Sequence, residues 1–260
     1  MGRLVVLALV AFMTLPTVVV IVASFNSTAI LSFPPQGLSL RWYENALTYP
    51  QFRRAAVNSL IVTLAAAGLA LPVGTAAALA LVRYPLRFRG FWSAVLLSPL
   101  VIPGVAAGLG LLIFAARVGL LANRAVLVAA HVVLVLPFVI RSVMVSVASL
   151  DPMLERAAAS LGASPGRVFW RVTLPLLRPG LFAALLFAVI VSVNEFVVSL
   201  FVSTRVTEIL SVAMFTYVVN YTDPTMAALS TLFIAATFVA VLAADRLLHL
   251  SRVFQIEEHR

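Results

Sequence analysis

Cysteine and lysine are both missing from this 260-residue sequence, and only nine residues are acidic. Without cysteine there is no disulfide framework, no thiolate metal site and no thiol nucleophile. Without lysine there is no phosphate-binding P-loop lysine and no lysine Schiff base. If the protein's work consumes ATP, a separate chain must bind the nucleotide. Charge of either kind is scarce: charged residues make up 10% of the chain and hydrophobic residues 63%. A soluble domain is roughly 45–50% apolar and about 25% charged. No water-soluble fold of this size hides so much apolar surface, and disorder, a collagen helix and nucleic-acid binding are excluded by the same composition. The class expected is an all-α, polytopic membrane protein. The net charge of +9 comes entirely from arginines scattered among apolar runs, which makes it a topology signal.

Six apolar stretches are present, at roughly Leu4–Ser24, Asn58–Val82, Phe91–Ala115, Ala125–Ala148, Leu181–Val202 and Thr225–Ala244. About 20 helical residues cross the ~30 Å hydrocarbon layer, so each is long enough. The first has an apolar core longer than the about 7–15 residues of a signal peptide and no small-x-small site after it, so a retained span is expected. With six spans and the N-terminus inside, twelve arginines lie in inner segments, including Arg3, Arg83, Arg87, Arg89, Arg246, Arg252 and Arg260, against six in outer ones. That bias predicts both termini in the cytoplasm. One transmembrane domain covering 1–260 is expected. Pro16, Pro72, Pro137 and the run Ser98-Pro-Leu-Val-Ile-Pro-Gly104 interrupt spans. They read as kinks, or as hinge and pathway-lining segments. Between Phe25 and Val57, the run from Leu40 to Leu47 reads as a short interfacial helix whose Trp42 and Tyr43 suit the headgroup region.

The loop 149–180 between the fourth and fifth spans carries the most information. Asp151-Pro152 is an N-cap followed by proline at the first helical position, and Gly162 is a helix stop. A helix from Pro152 to Leu161 would be about 15 Å long. Met153, Leu154, Ala157, Ala158 and Leu161 share one face, and Glu155, Arg156 and Ser160 face away from it. A second helix start follows at Ser164-Pro165. Trp170, Arg167 and Arg171 suit the membrane surface, and the small residues Ala157 to Ser160 beside a glycine offer a closely approachable docking surface.

In this loop the chain resembles the inner-membrane permeases of binding-protein-dependent ABC importers. Their signature is Glu-Ala-Ala, three residues, Gly, nine residues and Ile-x-Leu-Pro. Ala157-Ala158, Gly162, Val172 and Leu174-Pro175 stand in register, with Arg156 in place of the family's Glu and Glu155 one residue earlier. The resemblance implies a type I importer permease of six transmembrane helices in the bacterial inner membrane. It implies that Pro152–Leu161 is a coupling helix docking on a cytoplasmic ATPase dimer through Glu155, Arg156, Ala157, Ala158, Gly162, Leu174 and Pro175. ATP and Mg would be bound by that partner, and no cofactor by this chain. A sister permease, in a heterodimer, and a periplasmic solute-binding protein are the further partners implied, besides the bilayer and a small solute; no nucleic acid is involved.

Ser192-Val-Asn-Glu-Phe-Val-Val-Ser-Leu-Phe201, Asp223-Pro-Thr-Met-Ala-Ala-Leu-Ser-Thr-Leu232 and Ser98-Pro-Leu-Val-Ile-Pro103 resemble the second permease of polyamine importers. Relatives handling phosphonate, ferric ion or thiamine precursors share these stretches with variation. A carboxylate inside a span costs roughly 2.5–3.5 kcal/mol on insertion scales. Glu195 therefore lines a wet pathway, attracting a cation such as spermidine or putrescine, or pairs with an arginine or with backbone groups, or sits near the outer interface in water. Asn194 and Ser192 are its candidate helpers along the substrate pathway; Tyr217, Asn220 and Tyr221 read as an outer loop before the sixth span that contacts solute or the binding protein, or, for the two tyrosines, as interfacial anchors. Asp223, before Pro224, reads as an N-cap. His131 stands alone in the fourth span and reads as a satisfied buried histidine; His249 and His259 carry no signal. No metal site or catalytic set is expected. A self-contained secondary transporter using Glu195 as an ion site is the competing class.

Overall fold

The computed structural model describes residues 2–30, 32–121 and 123–248, with 240–248 described by backbone alone. Arg252, Arg260, His249 and His259 lie outside the described residues, as does the side chain of Arg246. The helices are α1 (Gly2–Ala23), α2 (Arg41–Thr48), α3 (Pro50–Arg83), α4 (Arg89–Leu97), α5 (Gly104–Arg117), α6 (Arg124–Ser149), α7 (Pro152–Ser160), α8 (Pro165–Val168), α9 (Leu174–Leu176), α10 (Arg178–Asn194), α11 (Val197–Val202), α12 (Leu210–Asn220) and α13 (Thr225–Leu248). The all-α class holds.

Among the described residues, α1, α3 and α6 are long and apolar enough to cross a membrane, and two bent pairs raise the number to five if each is one span. The third apolar stretch is one of these pairs. Pro99 and Pro103 cannot continue an α-helix, so a 3-10 turn at Ser98–Leu100 ends the first arm and Gly104 begins the second at 94° to it. The fifth stretch also differs from a single rod. Pro165–Leu176 meets α10 at 66°, and α10 then stops at Asn194, with the backbone extended at Glu195 before α11.

The chain forms two compact units, Ala55–Val212 and the combination of Met1–Arg54 with Ala213–Arg260. In the first, α3 and α6 run in the same direction: Asn58 meets Arg124 near one end, and Gly74 meets Val139 further along. α10 runs oppositely, with Ser192 beside His131 and Gly180 against Ser146. Small residues permit this closeness. Ala67, Ala70 and Ala78 of α3 and Ala184 and Ala188 of α10 bury against Val135, Val139, Ile140 and Val143 of α6. Without a hydrophobic drive inside lipid, such close van der Waals contact is what holds helices together. A Cβ on Gly74 would stand 2.5 Å from Val139 Cγ1, and one on Gly108 would stand 2.6 Å from Phe201 Cδ2, so only glycine fits either crossing. A second cluster joins Val62, Ala115, Leu127, Ala130, Val198 and Ile209.

In the other unit Asn26 organises the loop ahead of α2. Its side chain accepts from Gln36 N–H at 3.2 Å and donates to Ser32 Oγ at 2.7 Å. Trp42 and Tyr43, read as interfacial anchors, are engaged by protein: Trp42 is buried and its Nε1–H donates to Asn26 O at 2.6 Å, while Tyr43 hydroxyl meets Ser24 Oγ at 2.5 Å. Tyr49, Phe52, Tyr217 and Tyr221 stack into one aromatic cluster.

Candidate functional site

The loop between α6 and α10 folds as its signals dictate. Asp151 Oδ1 accepts Met153 N–H at 2.9 Å, Pro152 opens α7, and Leu161 closes it. Gly162 sits at φ +84°, a left-handed conformation that glycine adopts without cost. Gly162 N–H donates to Ala159 O and Ala163 N–H to Ala158 O, the paired bonds of a Schellman stop. After α8 the backbone loosens into a π-helical turn, Phe169–Thr173, which brings Thr173 into the interior ahead of Leu174 and Pro175.

The two faces of α7 meet different surroundings. Met153, Leu154 and Leu161 are 63%, 48% and 89% exposed, so the apolar face is open. Ala157 and Arg156 are exposed as well, and Ala158 is half-buried. Glu155 turns the other way: its Oε1 accepts the Thr173 hydroxyl at 2.8 Å and its Oε2 lies 3.2 Å from Arg83 Nη1. Arg83, Glu155, Arg156, Leu79, Val168 and Phe169 line a cleft of about 590 Å³.

The break between α10 and α11 holds the pathway candidates Ser192, Asn194 and Glu195. Glu195 is half-buried, and its Oε1 accepts Val198 N–H at 2.7 Å, capping α11. Its backbone carbonyl accepts the Ser211 hydroxyl at 2.9 Å. Asn194 is exposed and donates back to Ile190 O. Ser192 is buried and donates to Thr63 Oγ1 at 3.0 Å. With that hydroxyl proton committed, His131 Nδ1 is the donor in its 2.8 Å contact with Ser192, and Nε2 accepts from Ser199 at 2.9 Å. The imidazole is thus a fully satisfied neutral group, 1% exposed, bridging the two sides of the break. In the other unit Tyr217 is buried and donates to Asp223 Oδ2 at 2.9 Å, while Asp223 Oδ1 accepts Thr225 N–H and caps α13. Asn220 is exposed at the end of α12, its amide on Thr216 O.

A model of the binding-protein-dependent transport system inner membrane component family matches residues 70–251. The chain belongs to this family. It is an inner-membrane, multi-pass permease of a binding-protein-dependent ABC importer, a transport component and not an enzyme. The spermidine/putrescine transport system permease protein PotC of Escherichia coli K12 is 29% identical over 238 residues, covering 92% of this chain and 90% of its own length. The putrescine transport system permease protein PotI of the same strain is 34% identical over 243 residues, covering 90% and 86%. The putative 2-aminoethylphosphonate transport system permease protein PhnV of Salmonella typhimurium is 31% identical over 242 residues, covering 92% and 90%. Among solved structures, a bacterial ABC transporter that imports the acidic polysaccharide alginate superposes with a TM-score of 0.72 at 17% identity, covering 95% of both chains, which shows the shared fold.

Sequence reasoning on this permease missed Arg83 and Thr173 as partners of Glu155. Arg83 ends a different helix, and Thr173 lies 18 residues on, inside a π-helical turn that no 3.6-residue period reveals. The His131 bridge was equally hidden, because Thr63, Ser192 and Ser199 are distant in sequence. Replacing His131 by Ala leaves Ser199 without its buried partner and costs about 1–3 kcal/mol. Thermal unfolding in detergent is expected to show a lowered midpoint for His131→Ala, with a smaller loss for Ser199→Ala.

Proposed function

We propose that this permease is one half of an ATP-driven importer for a polyamine of the spermidine/putrescine class, with α7 as the helix that docks on a cytoplasmic ATPase subunit. The observation that carries the docking reading is the seating of α7: Glu155 is held inward by Arg83 and Thr173 while Met153, Leu154 and Leu161 stay open. An apolar, small-residue helix face of this kind suits a partner's groove. The lack of a P-loop lysine in this sequence agrees with nucleotide chemistry on that partner. The arginine bias supports both termini and the 149–180 loop lying in the cytoplasm of a six-span chain. The further partners are a sister permease in a heterodimer and a periplasmic binding protein; a complex of alginate-bound periplasmic protein with a structurally similar transporter (TM-score 0.71) supports the latter.

The polyamine reading rests on PotC and PotI and on the carboxylate of Glu195 at the α10–α11 break. Screening the associated binding protein for thermal stabilisation by spermidine, putrescine and 2-aminoethylphosphonate tests it directly. Glu195→Gln keeps an oxygen for Val198 N–H and removes only the charge. For a cationic solute the uptake KM is expected to rise several-fold in reconstituted importer, and unchanged kinetics remove Glu195 from the pathway. Gly162→Glu is expected to insert normally yet lose at least about tenfold in ATP-driven uptake, because an unpaired charge buried in the docking groove costs several kcal/mol. Gly162→Ala carries the same backbone strain without the charge and serves as the control. Normal uptake by Gly162→Glu counts against α7 as the docking helix.

A further inference from the structure

We propose that Arg83 is the positioning residue that ties α7 to the end of α3, so that a displacement of α7 is carried into α3 as well as into the helices joined to it by sequence. The inference rests on the docking reading of α7. Three observations carry it. First, the Arg83–Glu155 pair lies at 3.2 Å with side chains 21% and 27% exposed, too sheltered for a surface pair that water would screen. Second, Nε and Nη2 of Arg83 are buried without a hydrogen-bond partner among the described residues, so Glu155 is the carboxylate that compensates this guanidinium. Third, Glu155 is itself gripped from behind by the Thr173 hydroxyl at 2.8 Å, which fixes its oxygens toward Arg83.

The electrostatics favour this join at both ends. Arg83 occupies the last turn of α3, where the carbonyls carry partial negative charge, and Glu155 the first turn of α7, where the amides carry partial positive charge. Separating the helices would leave a half-buried guanidinium, two of its nitrogens buried, without its compensating carboxylate, which is unfavourable. α7 therefore moves with α3. Arg156 is a second cation lining the same cleft, but it is exposed and forms no ion pair among the described residues, so it does not replace Arg83.

The test uses the whole importer, with sister permease, ATPase and binding protein, reconstituted in liposomes, and follows spermidine uptake and phosphate release together. Arg83→Ala is expected to lower uptake per ATP hydrolysed about tenfold, within the range of typical coupling energies. The exchange Arg83→Glu with Glu155→Arg is expected to recover part of it: the ion pair is restored and Thr173 Oγ1 can accept from the introduced guanidinium, while both charges now oppose their helix ends. The chain has no native cysteine, so Tyr84→Cys and Ser160→Cys give a single spin-label pair, one at the end of α3 and one on α7. In the wild type this distance is expected to stay constant between nucleotide-free and ATP-trapped states, and in Arg83→Ala to change on trapping. An unaltered uptake-to-ATP ratio in Arg83→Ala, or a distance that already changes in the wild type, overturns the proposal. A separate single label at Leu161, on the open face, whose spectrum ignores the ATPase subunit instead overturns the docking reading, and this inference with it.

Discussion

In a chain this apolar, a polar group withdrawn from water is costly unless it finds a partner inside the protein, and the structure is organised around where most of them do. The tightest instance is the stop between α10 and α11. Ending a helix within an apolar run frees amides and carbonyls, and here they are met by side chains: Glu195 takes Val198 N–H, and Ser211 donates to Glu195 O. His131 then fastens Ser192 on one side of the stop to Ser199 on the other. A backbone interruption of this kind is tolerated at membrane depth only where protein or water satisfies it. The result is an irregular segment held in one geometry, which is what a pathway wall or a hinge requires.

The opposite end of the same unit shows a different balance. α7 is amphipathic, yet its open face is the apolar one and its inward edge carries the ion pair with Arg83. A helix resting alone on a protein surface would normally be seated the other way. Met153, Leu154 and Leu161 are left open, and on the proposed reading the subunit that hydrolyses ATP covers them. ATP can bias the spans only through contacts that differ between states.

Much of this was legible from residue order, and the failures share a cause. The apolar runs, Asp151-Pro152 as a helix start, Gly162 as its end and Asp223 as the α13 cap are local signals, and local geometry decided them. Ser98-Pro-Leu-Val-Ile-Pro-Gly104 announced an interruption but not a 94° turn, because the angle depends on what the second arm packs against, here Val198 and Phe201 beside Gly108. Glu195 was readable as costly in lipid, whereas the choice of Val198 N–H as its partner follows from where the helix breaks. Glu155 was assigned to the side of α7 away from its apolar face, and it lies there. That this side is the inward one depends on Arg83 and Thr173, which no sequence periodicity brings together.

The most direct measurement is site-specific cross-linking of the otherwise cysteine-free permease in native membranes. A cysteine at Leu161, the most exposed apolar position of the α7 region at 89%, is paired with single cysteines along the groove of the ATPase subunit. The account predicts a cross-link to that subunit whose yield changes when ATP is trapped. An intact, transporting complex in which no position from Met153 to Leu161 cross-links to the ATPase would contradict it.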